Sequence, residues 1–299
     1  MAEVRLILNE VITGILTGGI YALMASGLTL IFGVMDIINI GQGALVILGG
    51  YLSYILQENF HIDLFLGLLL TMPLMFLLGL FIEWAFIRPL KRDRTMLSIL
   101  VTFAIALIIE GTLGLKNTFG TDNIKLHAWY VDSSNASFQI GGFVLPYINI
   151  FVFVLSSALL TGLYFLVYRT KFGYSLRASM QNRTAAELIG VDVERVSAIT
   201  FGIGVALAAA GGMAFGTTTA FNPGSHYDLI SRLLVIIILG GMGSLRGALV
   251  ASVVMLVIED VTSVVWTPVW ATTVFFALLV IILLVRPQGL FGRLEGRKQ

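Results

Sequence analysis

The chain has 299 residues, 58% of them hydrophobic and only 12% charged, with a mean hydropathy of +0.95. Soluble domains carry roughly 25% charged residues, so too few charges remain here to coat a water-soluble globule. The lack of cysteine excludes disulfides, thiolate metal sites and cysteine nucleophiles.

Apolar runs of about 18 residues or more, long enough to cross a hydrocarbon core of ~30 Å, recur along the chain. The start, Met1 to Glu10, has no basic n-region, so the first apolar stretch reads as a retained helix. Candidate spans in chain order are 11–32, 38–57, 64–87, 96–116, 146–168, 196–220, 248–265 and 268–285. A shorter apolar piece at 229–242 is either a tilted span or a half-helix. The expected fold is therefore all-α: a polytopic integral membrane protein with eight or nine transmembrane helices, forming one permease-like domain over 1–299. Lys and Arg gather in four segments: 88–94, 169–195, Arg246, and the tail from Arg286 to Lys298. Placing all four in the cytoplasm puts the N-terminus outside and the C-terminus inside, which requires an odd count, nine. The polar loop 117–145 then lies outside, and a loop of that length is either functional or disordered.

Glycine is abundant, with 32 residues. The G-x-x-x-G pairs at 14–18 and 212–216 read as close-packing seams. Gln42–Val46 (QGALV) and Arg246–Val250 (RGALV) echo each other, as do IRPL at 87–90 and VRPQ at 285–288, which suggests a parallel duplication.

Between two apolar runs lies the charged stretch MQNRTAAELIGVDVERV, 180–196. Thr184 and Glu187 have the spacing of a capping box. Ala185, Ala186, Leu188 and Ile189 give the short helix an apolar side, and Gly190 is placed to end it in a left-handed conformation. Upstream, YSLRASMQ makes another helical piece, with Asn182 and Arg183 at the joint. The stretch is either a docking helix for a partner groove or a solvated helical loop. Within the spans, ionisable residues are functional candidates: Glu110, Arg232 and the pair Glu259/Asp260, the last two near enough to an end to reach water. Glu83 stands one turn before Arg88 as a partner for it. Asn39 and Gln42, beside the glycines of GQG (41–43) and LGGMGSLRG (239–247), are candidate pathway-lining residues if that backbone is irregular and buried. The alternative is a pair of tight surface turns. His61, His127 and His226 share no ligand spacing, and no phosphate-binding loop occurs.

AAELIG at 185–190 resembles the A-A-x-x-x-G coupling motif of ABC importer permeases, with Thr184 where many have Glu. Residues 18–54, 173–216, 239–250 (LGGMGSLRGALV) and 286–292 (RPQGLFG) resemble, in colinear order, the branched-chain amino acid (LIV-type) ABC permeases, and within them the first of the two paired permeases. The family's N-x-A-H-G appears here as NIGQG, with Gln42 in place of histidine. The resemblance implies the permease subunit of an importer in a bacterial or archaeal cytoplasmic membrane. It implies a second paired permease, two cytoplasmic ATP-binding subunits, an extracytoplasmic solute-binding protein and a small-molecule substrate. Branched-chain or other amino acids, amides and urea all fit. Segment 169–195 becomes the coupling segment, with Asn182, Thr184, Ala185, Ala186, Glu187, Leu188, Ile189 and Gly190 touching the ATPase. No cofactor, metal, catalytic residue or nucleic acid is expected. The competing reading is an ion-coupled secondary transporter using Glu110 or the Glu259/Asp260 pair.

Overall fold

The computed structural model describes residues 2–90, 93–116, 118–127, 137–140, 143–286 and 288–291. Lys91, Arg92, positions 128–136 of the long loop, and the tail residues Arg293, Arg297 and Lys298 lie outside the described residues. Helix α1 (Ala2–Met35) is followed by α2 (Gln42–Phe60), α3 (Leu64–Ile82, extended by a π turn Glu83–Ile87) and α4 (Arg94–Leu113). A hairpin of β1 (Ser137–Ile140) and β2 (Phe143–Pro146) leads into α5 (Tyr147–Arg169). Then come α6 (Lys171–Gln181), α7 (Arg183–Leu188), α8 (Val193–Thr218), α9 (His226–Gly240), α10 (Leu245–Val265) and α11 (Pro268–Val285).

Short polar side chains set the helix starts. Asp63 Oδ1 accepts from the backbone N–H of Phe65 at 2.9 Å to begin α3. Thr170, Asp192 and Ser244 cap α6, α8 and α10 in the same way. Pro268 opens α11, where its missing N–H costs nothing.

Among the described residues, seven helices are long and apolar enough to cross a membrane: α1, α3, α4, α5, α8, α10 and α11. The other two expected crossings, 38–57 and 229–242, are α2 and α9, and these are interior helices. The first half of α2 is buried almost throughout, and α9 has only 15 residues, about 22 Å at 1.5 Å per residue.

The core is built of α1, α2, α8 and α9, with α3 packed on α8 and α10 on α1. Small residues permit the contacts. A Cβ at Gly18 would lie 2.8 Å from Val253 Cα, and one at Gly14 would lie 2.6 Å from Val257 Cα, so α1 and α10 run antiparallel with backbones touching. Gly212 abuts Val46 and Gly50 of α2, and Gly216 abuts Phe221 and Leu126. Both G-x-x-x-G pairs are thus packing seams. Across the bundle, Gly79 of α3 meets Gly202 of α8, again antiparallel. The packing of α1 on α10 mirrors that of α8 on α3, while α1 crosses α8 and α2 crosses α9. The pattern is that of an inverted repeat, α1–α3 against α8–α10. The expected parallel duplication is not what packs: QGALV opens α2 and RGALV opens α10, which are not counterparts in this arrangement.

The basic segments converge at one end. Arg88 pairs with Glu194 at the start of α8. Tyr168, Arg177, Arg183, Arg246 and Gln288 line one cleft of 1340 Å³ there, together with the end of α1. At the opposite end, Ile124 forms an antiparallel bridge with Phe221, and the Leu126 N–H donates to Gly216 O at 2.9 Å. Residues 124–126 of the long loop are therefore pinned beside the end of α8.

Candidate translocation and coupling sites

The chain leaves α1 at Asp36, whose φ of +54° breaks the helix, and re-enters the bundle before starting α2. Gln42 Nε2 donates to Gly204 O at 3.2 Å, and Gly204 is the twelfth of the 26 residues of α8. The N–H of Ile40 donates to Thr102 Oγ1 at 3.1 Å, in the middle of α4. Helix α2 thus begins halfway through the bundle. Asn39 and Gln42 are 1% and 0% exposed, and Asn39 Nδ2 donates to Gln42 Oε1 at 3.1 Å. These bonds satisfy an irregular segment that lipid could not. The glycines of GQG follow from crowding. A Cβ on Gly41 would meet Thr102 O at 2.8 Å, and one on Gly43 would meet His226 O at 2.5 Å.

Gly43 therefore touches the first residue of α9, and the two interior helices start side by side. Asn222 and Ser225 form the turn before α9, with the N–H of Asn222 donating to Ser225 Oγ at 3.0 Å. The second glycine-rich stretch behaves differently. Gly241 and Gly243 have φ of +92° and +81°, and the N–H of Ser244 donates to Gly241 O at 2.9 Å. This is a tight turn at the basic end, bordering the cleft.

Beside the start of α9, Glu110 Oε2 accepts from Tyr227 Oη at 2.9 Å and lies 3.1 Å from His226 Nε2. The Glu110 side chain is 29% exposed and that of His226 2%. His226 Nδ1 is buried with no hydrogen-bond partner among the described residues. The His226 and Tyr227 rings stack with centroids 3.9 Å apart. Sequence reading finds Glu110, weighs His226 only as a metal ligand, and passes over Tyr227. The available signal was a histidine and a tyrosine directly after the helix-opening turn NPGS.

One turn further along α9, Arg232 Nε donates to Asp228 Oδ2 at 2.8 Å, Arg232 Nη1 pairs with Glu259 of α10, and the guanidinium lies over the Phe275 ring of α11 at 5.6 Å. Glu259 is 8% exposed, so it meets an arginine rather than the water expected near a helix end. Glu83 likewise departs from its expected partner. It is buried in the π turn, its backbone carbonyl accepts from the Arg88 N–H at 2.7 Å, and the Arg88 side chain reaches Glu194 instead. Asn39 and Gln42 form one cluster, Glu110 a second, and Arg232 a third.

The segment 171–190 folds as two helices hinged at Asn182, as expected. The cap is Asn182, not Thr184: Asn182 Oδ1 accepts from the Ala185 N–H at 3.0 Å. Asn182 has extended backbone, φ −158° and ψ 109°, which starts the helix two residues earlier and leaves Glu187 to pair with Arg183 at 3.5 Å. At the other end, Val191 N–H donates to Ala186 O and Gly190 N–H to Glu187 O, both at 3.0 Å, with Gly190 at φ +89°. That is a Schellman stop. Ala186 is only 2% exposed: it is packed into its own chain where α7 meets α6 and α8, so it is not part of an outward face. Leu188 and Ile189 are 83% and 76% exposed and form the apolar tip, with Thr184, Ala185, Glu187 and Gly190 also exposed.

A family model described as "Branched-chain amino acid transport system / permease component" matches residues 11–284. The chain is 27% identical to the high-affinity branched-chain amino acid transport system permease protein BraD of Pseudomonas aeruginosa, over the full length of both chains. It is 26% identical to the corresponding protein LivH of Escherichia coli, over 97% of each. It is 28% identical to a probable LivH of Methanocaldococcus jannaschii, covering 93% of this chain and 90% of that one. No solved structure matches.

Proposed function

The chain belongs to the family of branched-chain amino acid transport system permease components, and on that premise we propose that it carries branched-chain or closely related amino acids inward, driven by ATP hydrolysis in separate chains that grip α7. It is a multi-pass protein of the cytoplasmic membrane and acts as the permease of an ABC importer. Importers of this kind work with ATP-binding and solute-binding partners. Here the complement is a second permease, two ATP-binding subunits and an extracytoplasmic binding protein. The N-terminus faces outward and the basic end faces the cytoplasm, as the Lys/Arg asymmetry requires.

The observation that carries the coupling role is the tip of α7. Leu188 and Ile189 stand in solvent at the basic end, on a helix fixed at one end by Asn182 and at the other by the Gly190 stop. A rigid element with an unpartnered apolar tip transmits force once the tip is buried in a groove. The solute route runs past the starts of α2 and α9. Glu110 is presented to it, while Asn39, Gln42 and Arg232 hold the interior helices in place. The chain performs no hydrolysis itself.

The test uses proteoliposomes holding both permeases, the ATPases and the binding protein. Leu188→Asp with Ile189→Asp should leave the chain in the membrane at parental levels, release the ATPases on purification, and abolish uptake, since seating two carboxylates in an apolar groove costs several kcal/mol. Retained ATPase and parental uptake would refute the coupling role. Uptake driven by a proton gradient without ATP would instead support the ion-coupled reading.

A further inference from the structure

Glu110 of α4 has no lysine or arginine partner among the described residues, and we propose that it is a station for the ammonium group of a transported amino acid. The inference rests on the importer reading above and narrows it, because urea and simple amides carry no such group.

Among the described residues the other carboxylates of the spans are differently placed: Asp260 accepts from Thr17 Oγ1 at 3.4 Å and adjoins the Arg232–Glu259 pair. Glu259 is paired with Arg232, and Glu83 lies within electrostatic reach of Arg94. Glu110 has neither lysine nor arginine among its described partners. Both of its neighbours, Tyr227 Oη and His226 Nε2, meet the same oxygen, Oε2. Those contacts hold the carboxylate in one orientation and leave Oε1 with no hydrogen bond among the described residues. Gly224, in the turn before α9, is the neighbour on that side: a Cβ there would lie 3.9 Å from Oε1, an ordinary contact.

The surroundings are those of a built site. His226 is almost fully buried, and its Nδ1 lacks a partner among the described residues. The start of α9, carrying His226 and Tyr227, is held against Gly43 at the start of α2. Leu107, Ile108 and Gly111 of α4 are exposed around Glu110, so this edge of α4 meets whatever covers the chain there. A partly exposed carboxylate is costly against lipid, so the covering is protein or a wet route. An ammonium passing along it supplies the missing countercharge through a charge-assisted hydrogen bond to Oε1. The solute's alkyl side chain meets the apolar residues of α4.

The complete complex in proteoliposomes provides the test, with Glu110→Gln and Glu110→Asp compared. Glutamine keeps an acceptor for Tyr227 and His226 but loses the charge, while aspartate keeps the charge at a shorter reach. Glu110→Gln should lower the leucine uptake rate by about tenfold or more, the worth of one charge-assisted hydrogen bond, in a complex that still contains every subunit at parental levels. Glu110→Asp should retain more uptake than Glu110→Gln. Parental uptake by Glu110→Gln, or better uptake by Glu110→Gln than by Glu110→Asp, overturns the proposal.

A second measurement avoids substitution. In the parental complex of permeases and ATPases without binding protein, an apolar carbodiimide should modify Glu110, as read by mass spectrometry. Saturating leucine should slow the modification, and 4-methylpentanoate, which lacks the ammonium, should not. Equal protection by both, or by neither, overturns the proposal. Failure of the importer reading would look different: the parental complex itself would show no ATP-dependent uptake.

Discussion

Replacing Arg232 by methionine keeps an unbranched apolar stem and removes the guanidinium and its charge. Glu259 is then left 11% exposed in its side chain with its guanidinium partner gone, and its Oε2 already lacks a partner among the described residues. Asp228, the other carboxylate on Arg232, is 57% exposed and is compensated by water. The cost therefore falls on Glu259. Breaking a buried ion pair from one side costs about 3–5 kcal/mol, and losing the contact over Phe275 adds roughly 0.5–2 kcal/mol. A loss of about 3 kcal/mol is more than a hundredfold in a folding equilibrium. The assay is thermal unfolding of the purified protein in detergent, comparing parent, Arg232→Met, Glu259→Met and the double variant. Both single variants should unfold at distinctly lower temperature. The double variant should recover most of the loss, because no uncompensated charge remains. Parental stability in Arg232→Met, or a double variant no better than either single one, would refute the idea that this pair clamps α9 to α10.

Gly190→Val should impair uptake without lowering the amount of chain in the membrane. None of the described residues lies within 4 Å of a Cβ there, so the effect is conformational: φ is +89°, and a side chain in that region costs roughly 1–2 kcal/mol, more when β-branched. Cysteines at Lys125 and at Arg195, both exposed, should differ in reaction with an impermeant thiol reagent on intact cells. Position 125 should label and position 195 should not, and equal labelling would reverse or break the orientation.

Seven helices were readable from apolar length alone because lipid imposes one rule on each of them. The helices at 38–57 and 229–242 were readable as apolar segments, but their interior placement was not, since α2 and α9 are defined by what surrounds them: Gln42 finds its partner at Gly204, 162 positions away. The same distance problem hid the contact of Glu110 with His226, 116 positions on, and the pairing of Glu259 with Arg232. Local signals fared better. The stop at Gly190 and the joint at Asn182 follow from residue type, but Asn182 and Thr184 are both good caps, and only backbone geometry chose the former. The periodicity that put Ala186 on an apolar side was right. Which apolar residues face inward depended on α6 and α8 packing around the helix.

The mid-depth start of α2 also imposes an order on how the protein is made. Synthesis delivers Asn39 and Gln42 to the bilayer long before α8 emerges, yet the carbonyl that Gln42 Nε2 needs belongs to Gly204. Until then the amide must keep water or a temporary neighbour, and α2 has no reason to settle at its final depth. Helix α9, short and opened by a polar turn, can seat only after α2 offers Gly43. The chain's biogenesis is thus an insertion of long helices followed by a late internal closure. A fragment ending before α8 would remain in the membrane as an open intermediate, with its amides unsealed.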